Sequence, residues 1–218
     1  MHVNSVKTEL QGGAGTKDRR DIICGLFIAF LLISNIMATK MIMIGSIILP
    51  AAVILYPFCF MLGDVITELW GYKYARRVIW LGFACNLVMV TFFLLGQILP
   101  AAPFWENQAA YEAILGAVPR ICAGSFLAYL AGEFINSYVL DRMKKRNPQN
   151  KLFVRTIGSS IVGQLFDTGI FITVAFAGTM PWSQLFQLML WQYVVKIVIE
   201  ALLGTPMAYA IIKKLKQN

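Results

Sequence analysis

Residues 156–177 read TIGSSIVGQLFDTGIFITVAFA, an apolar stretch with the carboxylate of Asp167 at its middle. A hydrocarbon core about 30 Å thick needs roughly 20 helical residues, so this stretch is long enough to cross a bilayer. An ionisable group in that core costs several kcal/mol, roughly 2.5 to 3.5 on insertion scales. We therefore expect Asp167 to face a polar interior, either a site or a path.

Other apolar stretches carry similar groups. Lys196 and Glu200 lie within the last stretch, and Arg120 and Glu133 lie within the one that precedes residue 156. The composition of 58% hydrophobic and 14% charged residues contrasts with about 45–50% and 25% in soluble domains. The sequence thus predicts an all-α integral membrane protein, and 218 residues accommodate about six helices.

The expected domain organisation is a disordered tail at 1–20, a transmembrane domain at 21–212 and a basic tail at 213–218. No signal peptide is expected, because the first apolar stretch ends in polar residues and not in a small-residue cleavage site. The predicted helices cover about 21–40, 47–70, 78–99, 113–140, 156–177 and 185–212.

The basic residues predict an orientation. Of the 19 Lys and Arg residues, sixteen lie in the two tails and in the connections after the second and fourth predicted helices. Cytoplasmic loops carry such an excess, so both termini should be cytoplasmic. The net charge of +8 is thereby explained without direct binding of nucleic acid.

Histidine and cysteine usage argues against an enzyme. The only histidine is His2, and the four cysteines are scattered singly without metal-ligand or redox spacing. Ser-His or Cys-His catalysis and His-based metal hydrolysis all require a histidine, and none lies in the apolar stretches. We expect no catalytic residue, no metal and no cofactor.

Polar side chains form stripes on the predicted helices. Tyr193, Lys196 and Glu200 share one face of the sixth, and Gln164 shares a face with Asp167 on the fifth. Lys196 and Glu200 either neutralise each other as a packing element or serve a site. The small residues before Gln164, including Gly163, are typical of close helix packing.

Further candidates lie on the first, second and fourth predicted helices. Glu133 and Asn136 share a face, Asp64 lies one turn deeper than Glu68, and Asn35 occupies the outer half of the first helix. Arg120 either snorkels to the outer headgroups or faces the interior. With Lys40 set aside as an interface residue, the six predicted spans together hold five acids, Asp64, Glu68, Glu133, Asp167 and Glu200, and two bases, Arg120 and Lys196. This surplus favours protons, cations or a substrate rich in hydrogen-bond donors.

The chain resembles the queuosine precursor transporter family of YhhQ-type vitamin uptake transporters. The matching elements are FMLGD at 60–64, ELWG at 68–71, Arg76-Arg77, Pro119-Arg120, Gly132-Glu133 to Asn136, Arg155 to Thr168 through QLFDT, and Gln192-Tyr193 through Lys196 to Thr205-Pro206. Compared with the enterobacterial branch, the acid and amide at 133 and 136 are exchanged. Family members are similar six-helix proteins of the bacterial inner membrane that import deazaguanine bases for modification of transfer RNA.

The resemblance implies a small-molecule deazaguanine as substrate: the cyano or aminomethyl deazaguanine, or queuine. Asp167 or Glu133 would accept from the donor edge of the base, Gln164 and Lys196 would meet its other polar atoms, and Asp64 or Glu200 would position a partner or a proton. The complete expected substrate-binding set is Asp167, Lys196, Gln164, Glu133, Asn136, Asp64, Arg120, Glu200, Tyr193 and Asn35. The lipid bilayer is the other partner, and homodimer formation is left open.

Three alternatives remain open beside a secondary transporter. The chain resembles in size the substrate-binding membrane subunits of energy-coupling-factor-like uptake systems, which depend on a separate ATP-driven module. An intramembrane aspartyl hydrolase would use Asp64 and Asp167, although Gly63-Asp64 lacks the second glycine of the known motif. A purely structural role leaves the charges within the spans without a purpose.

Overall fold

The computed structural model describes residues 2–146 and 152–199, together with residues 202, 210, 211 and 213. The described helices are α1 His2–Met37, α2 Tyr56–Trp70, α3 Tyr72–Ile98, α4 Gln108–Leu115, α5 Val118–Arg146, α6 Leu152–Phe176 and α7 Trp182–Ile199. Between α1 and α2, β1 Met41–Ile44 and β2 Ile47–Pro50 form an antiparallel hairpin, followed by the 3₁₀ turn Ala51–Ile54.

Three stretches of the described residues are candidate membrane spans. Arg19–Met37, Tyr72–Ile98 and Gln108–Asn136 are long and apolar enough to cross a bilayer, and α6 contributes the shorter apolar stretch Ile161–Phe176. The prediction of an all-α membrane protein is confirmed at this level. The count of six spans and the cytoplasmic termini stay predictions.

The hairpin corrects the predicted second helix, which was expected to begin near Ile47. The turn contains Gly45 at φ 62, a left-handed conformation that glycine adopts without steric cost. Pro50 is the last residue of β2. It opposes a helix here, because proline has no N–H to donate to a helical carbonyl and disfavours the helical conformation in the preceding residue. Pro57 lies in the first turn of α2, where its missing N–H costs nothing.

Two other helix limits differ from the predictions. The predicted fourth helix is interrupted at Gly116 and Ala117, and α5 begins at Val118 with Pro119 in its first turn. Pro119 has no N–H to donate to the carbonyl four residues back, which favours a break there. At the N-terminus, α1 begins at His2, whereas the first helix was expected to begin near residue 21.

Glycines bring α5 and α6 into close antiparallel contact. A Cβ on Gly163 would lie 2.9 Å from the Cβ of Asn136, and one on Gly132 would lie 3.0 Å from the Cβ of Asp167. Nothing larger than glycine fits at this spacing without displacing a neighbour. The two glycines thus set the positions of Asn136 and Asp167.

Two apolar clusters surround the centre of the bundle. One joins α1, α2 and α3 around Val65 and Ile66, and the other joins α5, α6 and α7 around Ile121 and Ile172. The hairpin packs against the second cluster through Met41 and Ile48.

Candidate substrate cavity

A cavity of about 330 Å³ lies between α1, α2, α3, α5, α6 and α7. Its polar lining comprises Ser34, Asn35, Tyr56, Asp64, Thr67, Ser125, Tyr129, Asn136, Gln164, Asp167, Gln192 and Lys196. The end of β2 contributes Pro50 and the 3₁₀ turn contributes Ala52 at one end of the cavity, where Leu49 and Ala51 are also buried. Asp64 and Thr67 on α2 line the cavity and are exposed.

An ion pair occupies the wall formed by α6 and α7. Nζ of Lys196 donates to Oδ2 of Asp167 at 2.7 Å, and only 4% of Lys196 is exposed. Lys196 thus supplies Asp167 with a counter-charge from the neighbouring helix. Leaving either charge buried without the other costs about 3–5 kcal/mol, so the two residues act as a unit.

Tyr56 connects this ion pair to the rest of the cavity. The Nζ atom of Lys196 lies 4.1 Å from the centroid of the Tyr56 ring, a cation–π contact. The Tyr56 hydroxyl donates to Oε1 of Gln164 at 3.1 Å. Sequence reasoning missed Tyr56, because nothing in a single aromatic residue near a helix start signals a partner 108 residues away.

A second hydrogen-bonded group lies within the wall formed by α1 and α3, where Asn35 lines the cavity and Asn86 lies outside its lining. Nδ2 of Asn35 donates to Oδ1 of Asn86 at 2.7 Å, and Nδ2 of Asn86 donates to the Gly82 carbonyl at 3.0 Å. The Cys122 thiol also contacts Oδ1 of Asn86, at 3.4 Å. Asn86 was missed although it is an amide within an apolar span, the same signal that identified Asn35.

Three buried oxygen atoms have no hydrogen-bond partner among the described residues. They are Oδ1 of Asn136, Oγ1 of Thr168 and Oε1 of Gln192. Asn136 and Gln192 line the cavity. An unpaired polar atom is costly when buried, so these atoms are suited to a ligand.

Two expected site residues are placed away from the cavity. Arg120 donates through Nε to the Val174 carbonyl at 2.6 Å and through Nη2 to the Ala177 carbonyl. The end of a helix carries unpaired carbonyls and partial negative charge, which attract a cation. The Tyr193 hydroxyl donates to the Ile161 carbonyl at 3.2 Å and so joins α7 to α6.

The remaining expected site residues are divided by location. Asp64 and Gln164 line the cavity. The side chain of Glu133 and the whole of Glu200 lie outside the described part of the structure. Within the described part, His, Cys, Asp and Glu side chains form no group of three or more that would hold a metal ion.

A polar cavity with a buried ion pair, enclosed by apolar helices of membrane-spanning length, is the arrangement of a multi-pass membrane protein that handles a small molecule. The family described as "Putative vitamin uptake transporter" matches residues 50–211. The chain belongs to this family of membrane transport proteins, whose relatives below confirm the resemblance to queuosine precursor transporters.

Two curated relatives are similar to the chain. The "Probable queuosine precursor transporter" of Bacillus subtilis (strain 168) is 33% identical over 180 residues, which cover 81% of this chain and 77% of the relative. The "Queuosine precursor transporter" of Escherichia coli (strain K12) is 27% identical over 124 residues, which cover 56% of this chain and 52% of the relative. No solved structure matches the chain.

Proposed function

We propose that this protein imports queuosine precursors, deazaguanine bases, across the bacterial inner membrane as a secondary transporter. The observation that carries the proposal is the ion pair of Asp167 and Lys196 in a cavity whose lining includes acceptor atoms without a partner among the described residues. Both curated relatives bear the name of queuosine precursor transporters. The cavity is at the lower end of the range of about 300–1,000 Å³ for small-molecule sites, as a bicyclic base requires.

The chemistry of a deazaguanine complements the ion pair. The base presents a ring N–H beside an exocyclic amine, which a carboxylate such as Asp167 accepts, and a carbonyl to which Lys196 donates. Phe27, Phe83 and Phe171 line the cavity and offer apolar ring faces for stacking. Because the charges of Asp167 and Lys196 cancel, a neutral base enters without a large electrostatic penalty.

We also propose that the cavity opens toward the cytoplasm in this conformation. Its lining is buried beside the hairpin at Pro50 and exposed at Asp64 and Thr67, near the end of α2 that the basic connection predicts to be cytoplasmic. In a cysteine-free background, Thr67→Cys should react with a membrane-impermeant thiol reagent added from the cytoplasmic side only. Reaction from the outside alone would reverse this orientation.

The experiment that tests the function is rescue of queuosine in transfer RNA. Cells that lack precursor synthesis and their own importer receive this protein and one deazaguanine base at a time. We expect rescue by at least one base, loss of rescue with Asp167→Ala, and full rescue with Lys40→Ala, which changes an exposed residue outside the cavity lining. Absence of rescue by every base, with the protein confirmed in the membrane, would refute the proposal.

The energy source is tested with the same cells. A secondary transporter should lose uptake when a protonophore collapses the gradient while ATP is maintained. Uptake that survives this treatment but requires a coexpressed ATPase would instead identify the chain as a substrate-binding subunit.

A further inference from the structure

The Gln192 side chain lies on α7, one helical turn before Lys196, and faces the cavity. It is 6% exposed, and its Oε1 atom has no hydrogen-bond partner in the described part of the chain. We infer that Gln192 is a specificity-determining residue that accepts a hydrogen bond from an N–H of the transported base. This inference rests on the proposed function and adds a residue to the site.

A structural role does not account for this side chain. A buried amide oxygen without a partner destabilises the protein, whereas an apolar side chain of similar size carries no such penalty. Asn86 shows the contrast, because it is equally buried and both its amide atoms are hydrogen-bonded. The unpaired atom of Gln192 therefore gains its partner from a molecule that enters the cavity.

The position of Gln192 also constrains the ligand. Gln192 precedes Lys196 by four residues on α7, and Asn136 lies beside Gly163, which precedes Asp167 by four residues on α6. The Tyr193 hydroxyl donates to the Ile161 carbonyl, so the turn of α7 that holds Gln192 lies beside the turn of α6 that holds Gly163. Gln192 and Asn136 therefore lie in the same part of the cavity, and both line it.

Two acceptors in the same part of the cavity favour a ligand that carries two donors on one edge. A deazaguanine has such an edge, because the exocyclic amine on the six-membered ring and the N–H of the five-membered ring lie on either side of one ring nitrogen. The structure thus assigns one of these two donors to Gln192 and the other to Asn136.

Binding of 7-cyano-7-deazaguanine to the purified full-length protein tests the assignment. Gln192→Met should weaken binding by about tenfold or more, the loss expected for one buried hydrogen bond. Two analogues, one without the exocyclic amine and one methylated at the five-membered-ring nitrogen, complete a double-mutant cycle. Wild type and Gln192→Met should bind one of the two analogues, and only that one, with equal affinity. That analogue is the one that lacks the donor that Gln192 contacts.

Thermal unfolding without ligand provides the matched control. Gln192→Met should leave the Tm unchanged or higher, whereas Asn86→Leu should lower it by about 2–4 °C or more. An equal fall in Tm for both variants, or a twofold or smaller change in the Kd of Gln192→Met, would overturn the assignment of Gln192 alone. Failure of the wild-type protein to bind any deazaguanine would instead overturn the proposed function, and this assignment with it.

Discussion

The two walls of the cavity use buried amides in different ways. On the α1–α3 wall, Asn35 and Asn86 bond to each other, and Asn86 also bonds to the Gly82 carbonyl. On the wall formed by α5, α6 and α7, oxygen atoms of Asn136 and Gln192 have no partner among the described residues. Because Asn86 and Gln192 are 4% and 6% exposed, burial does not distinguish them. Hydrogen-bond satisfaction does, and under the proposed function it separates a structural wall from a ligand-facing wall.

The difference has a cause in helix packing. On the first wall, Gly82 lets α1 approach α3, since a Cβ there would lie 2.8 Å from Cδ2 of Leu31. At that approach Asn35 reaches Asn86 directly. On the second wall, the ion pair of Asp167 and Lys196 occupies the contact between α6 and α7. The neighbouring amides Asn136 and Gln192 then line the cavity, and their oxygen atoms have no partner among the described residues.

The ion pair should give the largest effect. Lys196→Ala leaves Asp167 partly buried without its counter-ion, and we expect loss of at least about 99% of uptake and destabilisation by about 3–5 kcal/mol. The double variant Asp167→Asn/Lys196→Met should regain most of this stability, because no charge is left buried. Uptake should still be absent.

Measurements of uptake and of Tm on the same preparations separate the two effects. If the double variant transports as well as wild type, the ion pair is a packing element and not part of the site.

The spacing between α5 and α6 should give the next largest effect. Gly163→Ala places a Cβ 2.9 Å from that of Asn136 and 3.0 Å from the Gly132 carbonyl oxygen. The helices must separate, which we expect to cost about 1–3 kcal/mol and to reduce uptake several-fold. Gly169→Ala on the same helix is the matched control, since nothing lies within 4 Å of its added Cβ. Equal Tm and uptake for the two variants would contradict the role of this spacing.

On the α1–α3 wall, substitution of one hydrogen-bonded amide should affect the other. Asn86→Leu leaves the Asn35 amide unpaired, at a cost of about 1–3 kcal/mol. In the double variant Asn35→Leu/Asn86→Leu both polar groups are removed, so most of that cost should disappear. A thermal-unfolding cycle measures the coupling, and additive losses would show that the two amides do not depend on each other.

Charges in apolar stretches made part of the site predictable. Asp167 and Lys196 are conspicuous in the sequence because few residues in a span are charged, and the bounds of α6 follow from the same hydropathy pattern. The hydropathy pattern does not show which side chains these residues contact. Tyr56, Gln164 and Lys196 come from three helices, and only the packing of those helices places them in one group.

The hairpin and Arg120 illustrate two other limits. Residues 47–54 are apolar enough for a helix, so the hydropathy pattern predicts that the second helix includes them. Only the conformational preferences of Pro50 and of Gly45 just before this range oppose a helix. For Arg120 the sequence shows a charge that needs a partner, but the partners are backbone carbonyls at the end of α6. Backbone atoms carry no residue-specific signal, which is why Arg120 was assigned to the site.

Arg120 should accordingly give the smallest effect. Arg120→Gln removes the cation at the end of α6 and keeps a shorter donor, so we expect a loss of about 0.3–1 kcal/mol for an exposed residue at a helix end. Uptake per folded molecule should be close to wild type, because Arg120 does not line the cavity. Arg120→Lys keeps the charge and should recover most of the stability. If Arg120→Gln abolishes uptake while its Tm is unchanged, Arg120 contacts the substrate in another conformation, and the division between a structural wall and a ligand-facing wall must be redrawn.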